Sequence, residues 1–171
     1  MLVSDLLPNE YSNFNATYIK ATQGTSLLEG LTYGLPQLIN FVKNIPTEKL
    51  EYRYAEGKWT IKDIVLHMID TERIFAYRAL RISRGDKTPL PGFDENDYVP
   101  FAFANSRSIE SLLTEYENVR KATISFFESL NEDQLLFMGT ASNAVISVRA
   151  IGFIITGHQN HHLNVITERY L

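Results

Sequence analysis

The chain of 171 residues contains no cysteine, which excludes disulfides, Cys-ligated zinc, iron–sulfur clusters and a cysteine nucleophile together. Any metal must therefore be held by histidine and oxygen ligands. Basic excess is missing as well: the formal charge is −4 and no block of like charges forms a tail, so neither nucleic acid nor an anionic membrane surface is expected as a partner. No apolar run approaches membrane-spanning length, the best one being interrupted by Arg149. The segment MLVSDLLPNEYSN has no basic start and is broken by Pro8 and Asn9, so it does not read as a secretory signal, and a cytoplasmic protein is expected. Repeats, low-complexity tracts and alternating strand patterns of useful length are also lacking.

What is present is helical periodicity, and with 44% hydrophobic residues the chain is long enough for one domain over 1–171. Residues 1–24 are polar and aromatic, and Tyr11, Phe14, Tyr18 and Ile19 suggest an N-terminal arm or short helix packed on the body. A first helix is expected from about Thr25 to Asn44, with a kink or break at Pro36, because proline removes a donor and clashes with the preceding turn. Thr60 with Asp63 resembles a capping box and opens a second helix, which Gly85 stops after Arg84. Residues 85–106, rich in glycine and proline, read as a long crossover loop that lines a pocket mouth. A third helix follows from about Arg107 to Leu130. A turn at 139–142 then leads to Ser147, the N-cap of a fourth helix that runs nearly to Leu171. Four long amphipathic helices imply an all-α four-helix bundle, whose long second connection allows a non-simple order.

The four histidines carry the chemistry. His158 and His162 are four apart, on one helix face about 6 Å along the axis. Ile151, Ile154, Ile155, Val165 and Ile166 recur around them at helical intervals, so both imidazoles lie on the inward stripe. His67 sits among Ile64, Val65, Met68 and Ile74 on the second helix, and a bundle can bring the three rings together. His161 is rotated about 100° from His162 and is left out of the ligand set. Two buried imidazoles need polar partners, which either hydrogen bonds within the core or a divalent cation shared by the neutral rings would supply. Gln159 stands where the zinc-protease motif carries its glutamate base, and an amide cannot take a proton from water, so metalloprotease chemistry is excluded. Imidazole discriminates poorly among zinc, nickel, iron and manganese, leaving the metal open.

Asp70, one turn after His67, reads either as a partner of the site, serving as a hydrogen-bond acceptor or general base, or as a solvated helix carboxylate. Arg73, Arg78, Arg81 and Arg84 suit the negative end of their helix and would also hold an anionic substrate group. Trp59, Tyr77 and Phe93 read as core or pocket lining.

The segments GKWTIKDIVLHMIDTERIFAYRALRISRGD (57–86), PLPGFDENDYV (89–99) and SVRAIGFIITGHQNHHLNVITERYL (147–171) resemble the DinB/YfiT-like metal-binding four-helix bundles. Together with the helix count, the likeness spans most of 25–171. The resemblance implies a three-histidine divalent metal site at His67, His158 and His162, a small-molecule substrate, in some members a low-molecular-weight thiol, and dimerisation. It further implies a metal-dependent hydrolase or a thiol S-transferase. Gln159, where related chains frequently carry glutamate, and Pro36 depart from the common pattern, and the first departure removes any acid–base role from position 159. The rival expectation is a non-catalytic, stress-associated module in which the ion is a structural staple.

Overall fold

In the computed structural model, which describes residues 1–22 and 24–171, four long helices form the bundle that the periodicity predicts. The short α1 (Ala16–Lys20) precedes the first long helix, α2 (Leu27–Lys43), followed by α3 (Ile61–Ser83), a short α4 (Glu95–Ala102), α5 (Ile109–Glu128), a single-turn α6 (Glu132–Leu136), a hairpin of β1 (Met138–Ala141) and β2 (Ala144–Ser147), and α7 (Val148–Arg169). Helices α5 and α7 each pack against both α2 and α3. The chain-consecutive helices α2 and α3 thus occupy opposite corners, as do α5 and α7, and every inward face meets two neighbours.

The caps are those that the sequence indicates. Thr60 accepts from the Asp63 amide at 3.0 Å while Asp63 accepts from the Thr60 amide at 2.9 Å, and Ser147 Oγ receives the Ala150 amide at 3.0 Å. Each such cap contributes about 1 kcal/mol.

Three expectations are corrected. The break expected as one outcome at Pro36 does not occur, since α2 continues through it. The carbonyls of Leu31 and Gly34, on the turn before that proline, accept from Arg120 Nη1 (3.2 Å) and Gln159 Nε2 (2.9 Å), so side chains of α5 and α7 hold the α2 backbone in place beside the proline. The 85–106 connection is not all loop: Asp94 caps the Asn96 amide at 2.9 Å and starts α4, which has no buried residue and hence no apolar stripe by which to detect it. The expected turn at 139–142 is a hairpin. Ser142 and Asn143 both have positive φ (50° and 60°), the two-residue turn whose twist matches paired strands. Four-residue strands are too short for an alternation to register.

The arm is tied down at three points. Leu2 bridges Ser26, the Glu10 carboxylate is held by the Arg149 guanidinium and by Ser147 Oγ at 2.7 Å, and the backbone of Tyr18 lies directly on Gly157 of α7. At Gly157 a side chain would meet that backbone, so glycine lets α1 lie flat on α7. No helix among the described residues is long and apolar enough to cross a membrane.

Candidate metal centre

The inward faces of α3 and α7 bring three of the four histidines together. His67 Nε2 lies 3.0 Å from His158 Nε2, which lies 3.0 Å from His162 Nε2, and the three possible ligand atoms all fall within 4.8 Å of one another. His161, one residue out of phase, turns its ring edge-on to His162 at 5.1 Å and to Tyr18 at 5.6 Å and stays outside the group.

A ring nitrogen has either one proton or one lone pair to offer. Three Nε2 atoms pointed at one another therefore cannot all be satisfied by hydrogen bonds among themselves, since His158 Nε2 would have to serve two partners. Nitrogens sharing one divalent ion at about 2.0–2.1 Å stand roughly 3.0–3.4 Å apart, a range that the two separations from His158 Nε2 meet. His162 Nδ1 is buried without a hydrogen-bond partner within the protein. The donor set, three imidazoles and no thiolate, suits zinc, nickel, iron or manganese.

Electrostatics keep the rings in the form a metal requires. Burial holds His67 down to about 4, with His161 adding to the effect. Burial likewise pushes His158 and His162 well below the ordinary histidine value, and in His158 the charge of Arg120 works in the same direction. All three are neutral at physiological pH, with a lone pair free for coordination.

The surroundings fix the rings. Thr71 Oγ1 is 3.3 Å from His67 Nδ1. The Trp59 ring lies 4.9 Å from His67, and Phe75 and Tyr18 stand edge-on to His158 at 6.2 and 5.2 Å. A cleft between α3 and α4 opens onto His67, bordered by Asp70, Thr71, Phe93, Glu95 and Tyr98. The 85–106 segment thus lines a pocket mouth, through its helix. Asp70 lies half-buried in that cleft, its carboxyl raised by burial against the opposing pull of Arg73, which contacts it at 3.5 Å.

The other groups singled out from the sequence lie elsewhere. Arg73 is held by Glu115 at 2.6 Å. Arg78 is buried, donating to Pro91 O (2.8 Å) and Ser142 Oγ (3.0 Å). Arg81 pairs with Asp86 and Arg84 lies over Phe126, so the arginine row is spent on structure. Tyr77 is exposed and contacts Arg81.

Sequence reasoning missed a buried polar network behind His158. Arg120 of α5 donates to both oxygens of Glu72 of α3, each at 2.8 Å, with side chains 1% and 4% exposed. Tyr116 Oη donates to Gln159 Oε1 at 2.6 Å. Gln159 is thereby locked into the core, and the amide that replaces the protease base is a structural group. The signal was an arginine on the inward stripe of α5, one turn after Tyr116.

Comparison with known proteins gives the family and the fold. A sequence model of the DinB superfamily matches residues 32–166. A protein of Oceanobacillus iheyensis named "Putative metal-dependent hydrolase OB0413" is 28% identical over 125 residues, covering 71% of this chain and 70% of its own. A second from that organism, named in the same way, is 27% identical over 138 residues, 78% of each chain. Among solved structures, YfiT from Bacillus subtilis, described as "a probable metal-dependent hydrolase with an unusual four-helix bundle topology", superposes with a TM-score of 0.71 at 19% identity, over 95% of this chain and 90% of that one.

Proposed function

The chain belongs to the DinB superfamily, and from that premise we propose that it is a metal-dependent hydrolase whose divalent ion is held by His67, His158 and His162. The observation that carries the reading is the convergence of three Nε2 atoms from neutral, buried rings. The names of the relatives support the reaction class. When bound, the ion supplies a Lewis acid that acidifies water or a thiol near neutral pH and polarises a carbonyl.

The remaining work falls to the chain's own side chains. Thr71 holds the His67 ring through Nδ1. Trp59 packs against the His67 ring and Phe75 against the His158 ring, which limits how far either imidazole can turn. Asp70 borders the same cleft as His67; in this reading it takes a proton from the attacking water and returns it to the leaving group, and its raised pKa suits that exchange. Glu95 and Tyr98 of α4 border the route by which substrate enters.

A second reading, thiol S-transfer, is favoured by the locking of Gln159, because a co-substrate thiolate brings its own nucleophile and needs no base from α7. The test is metal content by plasma mass spectrometry on untagged protein beside His67→Ala and His158→Ala/His162→Ala, followed by ester hydrolysis and conjugation of glutathione to monochlorobimane. Near-stoichiometric metal that is lost in both variants, with turnover in one assay, is expected. Protein that takes up none of the four metals refutes the reading, and tightly held metal without turnover leaves a structural staple.

A further inference from the structure

A bundle core has little reason to hold a charged pair. Burying Glu72 and Arg120 carries a desolvation penalty that apolar residues of the same volume avoid, yet the pair lies between α3 and α5 with its side chains almost fully enclosed. It also borders a small cavity lined by Glu72, Tyr116, Arg120, His158 and Gln159 on its polar side and by Met68, Phe75 and Ile155 on its apolar side. His158 is the one cluster histidine that touches this cavity. The centre of a water molecule has about 10 Å³ in which to sit there, close to the least volume that holds one ordered water.

The polar groups around the cavity have the right valences. His158 directs Nε2 at the other two histidines, so as a neutral ligand it carries its proton on Nδ1, which needs an acceptor. Each Glu72 oxygen takes one bond from Arg120 and keeps a second lone pair, and Gln159 Oε1 keeps one beyond the bond from Tyr116. We propose that one water in this cavity accepts from His158 Nδ1–H and donates to Glu72 and Gln159, making Glu72 the positioning residue that orients the His158 ring toward the metal. The pair then has a reason: Arg120 fixes the carboxylate, and the carboxylate fixes the ligand at one remove. This rests on the metal reading above, with His158 as a ligand.

The test variant is Glu72→Leu/Arg120→Met, which removes the acceptor without leaving a lone buried charge and so retains the fold. Zinc affinity is read by competition with a chromophoric chelator, and the His158 tautomer by nitrogen-15 NMR of histidine-labelled protein with and without zinc. A roughly 10–100-fold weaker zinc affinity is expected, with loss of the pure Nδ1–H tautomer of His158 while helicity is retained. Unchanged affinity and tautomer would overturn the proposal. Should the wild type bind none of zinc, nickel, iron and manganese, the metal reading fails by itself, and the tautomer comparison in metal-free protein still decides the bridge. A high-resolution crystal structure of the wild type is independent of any variant's folding: a water within hydrogen-bond distance of His158 Nδ1 and Glu72 supports the proposal, and an Nδ1 bonded elsewhere refutes it.

Discussion

Replacing Gly157 by alanine isolates what the N-terminal arm contributes. An alanine Cβ at that position would lie 3.0 Å from the Tyr18 Cα and closer still to the Tyr18 carbonyl. These are backbone atoms that cannot rotate away, so either α7 shifts or α1 lifts off. Overpacking against a rigid neighbour costs about 1–3 kcal/mol or more. Lifting the arm instead exposes Ile19, which is 6% accessible, at about 2 kcal/mol, and frees the edge of Tyr18 from His158. Alanine returns about 1 kcal/mol of helix propensity to α7. The net loss is about 1–2 kcal/mol, roughly 2–8 °C in Tm for a chain of this size. Gly152→Ala is the comparison, because its Cβ meets side chains and no backbone, Leu27 Cδ1 at 2.9 Å and the Phe127 ring at 3.0 Å, and it is expected to be milder. Urea and thermal melts give the stability, and trypsin reports the arm at Lys20, exposed at the end of α1. A Gly157→Ala protein within about 0.5 kcal/mol of wild type, with Lys20 no more readily cut, would refute the idea that the arm is clamped through this contact.

Glu72→Ala should destabilise the protein by about 3–5 kcal/mol, since it strands Arg120 as an unpaired buried charge; a loss under about 1 kcal/mol by urea denaturation would mean that Arg120 finds another partner. Metal-free protein should weaken in acid. The folded-state pKa of His67 is about 4 against 6.5, so the unfolded chain takes up the proton first, stability is full above pH 6.5, and it falls as pH drops toward 4. His67 alone removes roughly 3 kcal/mol across that window, and His158 and His162 act in the same direction; urea midpoints that stay flat between pH 7 and 5 would contradict this. Asp70→Asn should leave metal content unchanged and reduce turnover by about 10²–10⁴-fold, an effect absent if Asp70 only pairs with Arg73.

Much of the architecture was legible because helices announce themselves by period and cap. The long helices appeared within two residues of their expected ends at Ser26, Thr60, Ser108 and Ser147, where side chains pair with the first turn. The i, i+4 spacing on α7 placed His158 and His162 side by side, and the out-of-phase His161 stayed outside. The hairpin and α4 were not legible, since one is fixed by two positive φ angles and the other by a single aspartate cap. Pro36 misled because the groups that hold the α2 backbone beside it, Arg120 and Gln159, come from helices more than 80 residues away in sequence. For the same reason the partner of Glu72 escaped, Arg120 being 48 residues away.

The separation between His67 and His158, 91 residues along the chain, bears on when the centre can exist. A nascent chain that has extended only through α5 holds one histidine of the three, and a single imidazole retains no ion. The site arises after α7 has docked against α3, and the contact between Glu10 and Arg149 spans 139 residues more slowly still to close. On the proposed reading, metal capture is therefore a late event in the life of each molecule. It can lock a bundle that has already formed, and it cannot guide one into shape.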